Sequence, residues 1–245
     1  MISLYSGTPG SGKSLDAAAK VRASLKWYRP VIGTFHINKD CLYKNSKYEY
    51  TYVNIYNLKP EFLVKYAKEH MPAKRNPEGS FLLVIDEAQR IFNSRDWNSQ
   101  DRMGWITFFA EHRHLGFDII LISQNDRMLD RQIRALIEYN YIHRKLSAFG
   151  ILGKIFSIFS GQFVVVRQWY PLKERIDGSF FRGDKKLYNF YDSFEDFGGS
   201  EDGVERSSGD PAEVREEFLK KLMSIERVSC INDEFIYQKY IDSPA

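Results

Sequence analysis

The segment that most constrains the fold of this chain is its first twenty residues. A short apolar stretch, Met1–Tyr5, is followed by the glycine-rich run Gly7–Ser14, which has the pattern G-x-x-x-x-G-K-[ST], and then by the helix-forming residues 15–20. A glycine-rich loop between a strand and a helix turns its backbone N–H groups toward an anion, and the helix adds the positive end of its dipole. This order predicts a phosphate-binding loop at the start of an α/β domain.

The residues of this loop are expected to bind a nucleoside triphosphate together with Mg²⁺. The backbone would surround the phosphates, Lys13 would bring a positive charge near the terminal phosphate, and Ser14 would offer its hydroxyl to the metal. ATP and Mg²⁺ are therefore the expected cofactors, with base preference left open because no adenine-binding motif is present. The predicted loop ligands are Gly7, Thr8, Pro9, Gly10, Ser11, Gly12, Lys13 and Ser14.

A second segment, about seventy residues later, is the expected counterpart of this loop in a nucleotide site. Phe81–Ile85 is a continuous apolar run, typical of a strand that is buried on both faces of a parallel sheet, and Asp86 and Glu87 follow it directly. We expect Asp86 to bind nucleotide-associated Mg²⁺ and Glu87 to orient or deprotonate the attacking water. A glutamate at position 87 favours hydrolysis over a nucleotide-controlled switch.

The next predicted strand also ends in polar residues. Ile119–Ile122 is apolar, and Ser123 and Gln124 follow it. Because this strand comes next along the chain, it is expected to neighbour the strand that ends at Asp86, and Gln124 would then sense the terminal phosphate or position water. The alternative is a strand-end amide that is bonded to loop backbone.

Arginines are candidates for the cation that a ring ATPase delivers to the transferred phosphoryl group, often from a neighbouring subunit. Arg113 closes the helix that enters the strand ending at Gln124, so it should lie away from the catalytic end of that strand. We therefore favour the group just beyond Gln124, which is Arg127, Arg131 and Arg134, with Arg134 as the catalytic candidate. Solvated or ion-paired surface arginines remain the competing interpretation.

Composition and length set broad limits on the class of protein. A chain of 245 residues and 28.7 kDa suits one large α/β domain with a small appended piece. The formal charge of +3 neither indicates nor excludes nucleic acid. Cys41 and Cys230 match no metal-ligand spacing and are typical of reduced thiols in a cytosolic protein.

No membrane-spanning or targeting segment is predicted, because the first strand passes directly into the phosphate loop. The apolar segment 146–160 carries Lys154 and is shorter than the roughly twenty residues that cross a bilayer. A buried hairpin or short helix is one interpretation of this segment, and a surface that contacts a membrane or a neighbouring subunit is the other.

The alternation of apolar strands and helices predicts an α/β fold with a mainly parallel central sheet flanked by helices, whose ligands gather at the carboxyl ends of the strands. Residues 1–192 are predicted to form the P-loop ATPase domain, the glycine-rich and acidic stretch 193–210 a flexible linker, and residues 211–245 a C-terminal helical tail. Further strands are predicted over 31–35, 51–55, 117–124, 136–145 and 162–170, and further helices over 14–28, 60–69 and 211–227.

Several blocks of this sequence resemble the zonula occludens toxin (Zot) family. They are ISLYSGTPGSGKS, LLVIDEAQRIF, the E-H-R-H-x-G-x-D-I-I-L-I-S-Q block and D-R-x-I-R, and the resemblance covers residues 1–192. The aromatic run LYNFYDS, residues 187–193, is similar to the stretch that ends the ATPase domain of the family. The resemblance implies the same roles that are predicted above for Lys13, Ser14, Asp86, Glu87 and Gln124, because these residues fall on the family's motifs.

The family includes the assembly ATPases of filamentous phages, so the resemblance implies a motor of the FtsK/HerA class that powers extrusion of a single-stranded DNA phage. Such motors tend to form homo-oligomeric rings, with a hexamer among the forms to be expected. The implied partners are other phage assembly proteins at the membrane and single-stranded DNA or a phage DNA–protein complex, and the implied location is the cytosolic face of the host inner membrane. Family members usually continue into a transmembrane helix and an outer domain. Neither follows here, which indicates a fragment or attachment through partners, and the toxin activity assigned to that outer part is not transferred.

Three functions stay open on the sequence alone. The first is the phage assembly motor, and the second is a DNA-translocating or packaging ATPase that acts directly on nucleic acid, with a steep dependence on salt. The third is a scaffold that binds nucleotide without hydrolysing it. Stimulation by single-stranded DNA separates the first two, and turnover separates both from the third.

Overall fold

The computed structural model describes residues 1–38, 41, 49–71, 77–93, 99–149 and 162–191. In this part of the chain one sheet contains eight strands, in the order β3-β2-β4-β5-β1-β6-β7-β8. The strands are β1 (Ile2–Ser6), β2 (Val31–Gly33), β3 (Tyr50–Tyr52), β4 (Phe81–Ile85), β5 (Phe117–Ser123), β6 (Tyr139–Lys145), β7 (Phe163–Trp169) and β8 (Glu174–Phe181). The helices are α1 (Lys13–Lys26), α2 (Pro60–His70), α3 (Ser99–Glu111), α4 (Arg131–Ala135) and α5 (Lys185–Phe190).

The sheet is parallel from β3 to β6, and β7 and β8 extend it as an antiparallel hairpin. The predicted α/β class with a mainly parallel sheet is therefore confirmed. Strand β5 pairs with both β1 and β4, so the carboxyl ends of these three strands meet at one edge of the sheet. That edge carries the glycine-rich loop, the acidic pair and Gln124.

Helices cover both faces of the sheet, and this explains the continuous apolar run in β4. Side chains at 81, 83 and 85 belong to the core shared with α2, α3 and α4, whereas Leu82 and Val84 belong to the core shared with α1 and α5. All five residues of β4 are buried. A strand in the middle of a three-layer domain has no face that tolerates polar side chains.

Several predicted elements match the structure, and a few differ in length. The strand over 81–85 agrees in full, while the strand predicted over 51–55 ends at Tyr52. Beyond it the Asn54 side chain accepts a hydrogen bond from the Tyr56 N–H, which starts a turn of 3₁₀-helix over Ile55–Asn57 in place of further strand.

Strand β8 and helix α5 were not predicted. Nearly every residue of β8 is exposed, so it lacks the apolar alternation that indicates a strand. Of the apolar segment 146–160, only the 3₁₀ turn Leu146–Phe149 falls among the described residues. The predicted linker 193–210 and tail 211–245 lie outside them. No helix in the described ranges combines the length and the apolar character that a membrane crossing requires.

Candidate functional site

The glycine-rich loop between β1 and α1 depends on glycine at positions where a side chain would not fit. Gly7 has a φ of +147° and Gly12 a φ of +91°, a region that L-residues rarely adopt. A Cβ on Gly7 would lie 2.3 Å from the carbonyl oxygen of His143, and one on Gly12 would lie 2.9 Å from the ring of Phe163. The loop is therefore packed against β6 and β7 as well as against its own helix.

The first turn of α1 presents backbone N–H groups that no hydrogen bond within the described part of the chain uses. The N–H of Asp16 donates to the Gly12 carbonyl at 2.9 Å, which is the first bond within the helix, so the N–H groups of Lys13, Ser14 and Leu15 have no partner inside it. The Ser11 hydroxyl is buried and has no hydrogen-bond partner among the described residues. These donors and the positive end of the helix dipole suit a phosphate group.

The Lys13 side chain folds back over the loop. Its Nζ donates to the carbonyl oxygens of Gly7 at 2.9 Å and Thr8 at 3.1 Å. Burial lowers the pKa of Lys13, and the nearby charges of Asp86 and Glu87 oppose that effect. The predicted cation and the predicted acidic pair therefore lie within electrostatic reach of each other.

Asp86 is held from several sides at the end of β4. Its N–H donates to the Thr34 hydroxyl at 2.8 Å, and its carboxylate accepts from the Glu87 N–H at 2.8 Å and from the Tyr191 hydroxyl at 3.2 Å. Burial raises the pKa of Asp86, and the contacts of its carboxylate with the Glu87 N–H, the Ser14 side chain and the Tyr191 hydroxyl oppose the rise. A carboxylate beside a hydroxyl is the kind of oxygen donor set that Mg²⁺ prefers, so the residues present fit this ion.

Glu87 has a left-handed backbone, with φ +48° and ψ +44°. This conformation costs a non-glycine residue on the order of 1 kcal/mol or more and is concentrated at functional sites. The Gln89 side-chain amide donates to the Glu87 carboxylate. The turn after β4 therefore fixes both the backbone and the carboxylate of the predicted water-orienting residue.

Gln124 lies at the predicted edge, but it contacts the loop through its backbone. Its carbonyl oxygen accepts from the Gly7 N–H at 3.3 Å, and its side chain is exposed, with no hydrogen bond within the described ranges. The predicted neighbour relationship between its strand and β4 is confirmed by their pairing. The side chain is thus available to a ligand at the loop.

Arg134 lies apart from this group in the folded chain. Its guanidinium lies beside the Tyr170 hydroxyl, which donates to Asp126 Oδ2 at 2.9 Å, and the Tyr170 N–H donates to the Glu138 carbonyl. The Glu138 N–H in turn donates to the Ile2 carbonyl, which lies at the end of β1 opposite to the phosphate loop. Arg127 and Arg131 are both exposed. A contribution of Arg134 to the phosphate site would therefore have to come from another copy of the chain.

The sequence did not indicate that the segment around α5 returns to the site. Tyr191 pairs with Ile37 in an isolated bridge, and the Asn38 N–H donates to the Phe190 carbonyl at 2.9 Å. The aromatic run 187–193 was a signal, but its contact with Asp86 joins residues 105 positions apart. Together with the phosphate loop, this segment encloses a cleft of about 720 Å³. It is lined by Gly10, Gly12, Lys13, Ser14, Leu15, Asn38, Phe163, Tyr188, Asn189 and Tyr191.

Comparison with known proteins gives phage proteins as relatives. The Gene 1 protein of Enterobacteria phage M13 is 31% identical over 133 residues, which covers 49% of this chain and 38% of that protein. A protein of Pseudomonas phage Pf3 that carries the name of an assembly protein is 29% identical over 145 residues, covering 56% of this chain and 40% of the relative. The matched stretch is therefore well under half the length of these relatives.

A solved structure and a family model extend the comparison to most of the domain. The N-terminal domain of zonular occludens toxin from Neisseria meningitidis shares the fold, with a TM-score of 0.51 and 20% identity, over 78% of this chain and 98% of that one. The model of the Zonular occludens toxin (Zot) family matches residues 1–196, from before β1 to just beyond Tyr191. With four fifths of its length inside that match, the chain belongs to the Zot family.

Proposed function

We propose that this chain is an ATP-hydrolysing motor for the assembly and extrusion of a filamentous, single-stranded DNA phage at the cytosolic face of the host inner membrane. The observation that carries the proposal is the grouping of Lys13, Ser14, Asp86 and Glu87 at the carboxyl edge of the sheet, where Lys13 and Ser14 also line the cleft. Membership of the Zot family and the similarity to proteins of filamentous phages support assembly as the work that hydrolysis drives.

The loop residues would bind the triphosphate. Unpaired N–H groups at the start of α1 would bond to phosphate oxygens, and Lys13 would exchange its bonds with the Gly7 and Thr8 carbonyls for the terminal phosphate. A carbonyl-bonded lysine is already positioned inside the loop, so this exchange requires rotation of one side chain. Ser14 and Asp86 would hold Mg²⁺, which supplies charge neutralisation at the phosphates when bound.

Glu87 would orient the attacking water and accept its proton. The hydrogen bond from Gln89 fixes one carboxylate oxygen of Glu87 and leaves the other able to accept from water. Gln124, which directly follows the neighbouring strand β5 and has an exposed amide, would contact the terminal phosphate or the same water. These roles place the reaction between the ends of β4 and β5.

A homo-oligomeric ring would supply the remaining cation in trans. Arg127 and Arg131 are exposed, whereas Arg134 lies beside Tyr170 of its own chain. Arg134 would therefore have to exchange Tyr170 for the phosphate of a neighbouring copy, while Arg127 and Arg131 would need no such exchange. Single-alanine variants of all three, compared at protein concentrations above and below assembly, would identify the acting residue.

The decisive experiment is Mg²⁺-dependent ATP turnover by the purified chain, with and without single-stranded DNA, together with a mass measurement in the presence of a nucleotide analogue. Lys13→Ala should abolish nucleotide binding, and Glu87→Gln should bind ATP while turnover falls at least about a hundredfold, because general-base contributions are of that size. The matched controls are Lys65→Ala and Glu111→Gln, which remove the same charges from exposed positions on α2 and α3.

Each outcome separates the proposed functions. Turnover by Glu87→Gln at the wild-type rate would remove Glu87 from the reaction. Nucleotide binding without any turnover by the wild type would indicate the scaffold. Strong stimulation by single-stranded DNA, with an affinity that falls steeply as salt is raised, would favour direct DNA translocation.

A further inference from the structure

The cleft at the phosphate loop continues well beyond the loop itself. Its volume of about 720 Å³ falls within the range of small-molecule sites, and beyond the loop its lining includes Tyr188 and Asn189 of α5 and Phe163 at the start of β7. Gly183, just before α5, packs against both Leu15 and Tyr188, since a Cβ there would lie 2.7 Å from each side chain. The segment that carries Tyr188 is therefore fixed directly onto the helix that begins at the loop.

Three aromatic side chains line this cleft, and two of them are committed to other contacts. Phe163 is 6% exposed, packs on Gly12 and stacks on Phe181 with ring centroids 6.0 Å apart. Tyr191 points its hydroxyl at Asp86, and its ring packs edge-on against Phe35 with centroids 5.2 Å apart. Both belong to the structure that shapes the phosphate site.

Tyr188 differs from the other two because it is held in place and still exposed. Its side chain is 46% exposed, its hydroxyl donates to Gln162 Oε1 at 2.8 Å, and its ring edge lies against Gly183. A ring that is restrained at two points and open on the cleft loses little conformational freedom when a flat ligand stacks on it. Such a ring is a preformed stacking surface.

The next residue adds hydrogen-bonding capacity at the same wall. Asn189 lines the cleft and is exposed, and within the described ranges its side chain makes no hydrogen bond. A side-chain amide both donates and accepts, which suits the edge of a heterocyclic base. An anion site, a stacking ring and an amide in one cleft match a ligand that has a polyphosphate at one end and a nucleobase at the other.

The geometry points to Tyr188 as the residue on which the nucleobase of the bound nucleoside triphosphate stacks, with Asn189 hydrogen bonding to the edge of that base. This inference rests on the proposed nucleotide binding at the phosphate loop, and it adds the base site that the sequence left open. It assigns α5 a direct role in choosing the substrate.

The test compares two ligands that differ by the nucleoside, a non-hydrolysable ATP analogue and inorganic tripolyphosphate, each titrated with Mg²⁺ by calorimetry against the full chain. Tyr188→Ala should lower the affinity for the ATP analogue about tenfold, because aromatic stacking acts on the base alone. The affinity for tripolyphosphate should stay within about twofold of the wild-type value. Tyr188→Phe keeps the ring and should stay within about threefold for both ligands. Thermal unfolding without ligand verifies that each variant is folded.

Lys13→Ala serves as the opposite control, since it should weaken both ligands. Equal weakening of both ligands by Tyr188→Ala, or no weakening of the ATP analogue, would overturn the stacking role while leaving the phosphate site intact. If the wild type binds neither ligand, the proposed function fails and this inference fails with it.

The role of Asn189 is tested by the ratio between the affinities for an ATP analogue and a GTP analogue. Asn189→Ala should reduce that ratio about fivefold, and an unchanged ratio would overturn the role of Asn189.

Discussion

His143 and Asp16 form a buried hydrogen-bonded pair behind the phosphate loop, with His143 Nε2 3.0 Å from Asp16 Oδ2. The side chains are 0% and 7% exposed, and the other ring nitrogen of His143 lies 2.9 Å from the Tyr141 carbonyl oxygen. The pair connects β6 to the first turn of α1, which is the turn that carries Lys13 and Ser14. Loss of either partner would leave a polar group buried without compensation.

Asp16→Ala should therefore lower the free energy of unfolding by about 3 kcal/mol, as expected when one member of a buried pair is removed. Asp16→Asn should cost only about 1 kcal/mol, because its amide can still hydrogen bond with the His143 ring. Urea unfolding of the two variants and the wild type measures both values. Equal losses from the two variants would show that the amide of asparagine does not replace the carboxylate, and would contradict the view that hydrogen bonding at this position is what stabilises the pair.

Two glycines of the phosphate loop offer a matched pair for testing how tightly the loop is packed. Gly10, with φ +70°, has nothing within 4 Å of the position of an added Cβ, whereas an added Cβ on Gly7 would lie 2.3 Å from the His143 carbonyl oxygen. Gly10→Ala should cost about 1–2 kcal/mol from its backbone conformation alone. Gly7→Ala must move the backbone of β6 or of the loop, so we expect a loss above about 3 kcal/mol. Thermal unfolding compares them, and similar losses would contradict the packing described for Gly7.

The sequence predicted those elements around the candidate site whose signals are local in the chain. The phosphate loop and the strand ending at Asp86 each carry their signal within fewer than fifteen consecutive residues. Apolar runs indicate burial on two faces, and polar residues at their ends indicate the carboxyl edge of a parallel sheet. These signals were sufficient to predict the fold class and the pairing of the two strands that carry Asp86 and Gln124.

What the sequence missed depends on contacts between distant segments. The bonds of Asp86 to Thr34 and Tyr191 span 52 and 105 residues, and no local pattern encodes them. Strand β8 was missed because its exposed residues give no apolar alternation. The cleft wall formed by α5 was also missed because it depends on contacts between distant segments. Its aromatic run indicated an element but not the surface on which that element packs.

A polar cluster at the opposite end of the sheet gives a prediction about pH. Arg29 Nη2 lies 2.7 Å from Asp118 Oδ2, and the amino group of Met1 lies 3.0 Å from Asp118 Oδ1. Burial would raise the pKa of Asp118, but the Arg29 guanidinium and the Met1 ammonium outweigh it and hold that pKa below its usual value. The folded state therefore binds a proton at Asp118 less readily than the unfolded state does.

Asp118→Asn should accordingly lower the free energy of unfolding by about 1–2 kcal/mol at pH 7, the size of a partly buried hydrogen bond to a charged group. Asp118 contributes its stabilisation in full above the unfolded pKa of about 3.9, and loses it as the pH falls through the lower folded pKa. Urea unfolding at neutral and acid pH should show the difference closing only in that acid range. Asp177→Asn, which disrupts an ion pair in which Asp177 is half exposed, is the control and should cost less than about 0.5 kcal/mol. A difference between Asp118→Asn and the wild type that persists at the lowest pH would contradict this account.

Thr34 is expected to position the acidic pair without contacting the substrate. Its N–H donates to the Val84 carbonyl at 3.1 Å, and its hydroxyl accepts from the Asp86 N–H at 2.8 Å, so it fixes Asp86 from the position just after the neighbouring strand β2. Thr34→Val would leave that N–H without its acceptor and let Asp86 shift. We expect the free energy of unfolding to fall by about 1–2 kcal/mol. ATP turnover should fall about tenfold or more, because small displacements of positioned groups slow catalysis. Thr34→Ser keeps the oxygen and should retain both properties. ATPase assays and urea unfolding of the two variants measure these effects. Equal turnover by Thr34→Val and Thr34→Ser would show that the position of Asp86 does not depend on this hydroxyl.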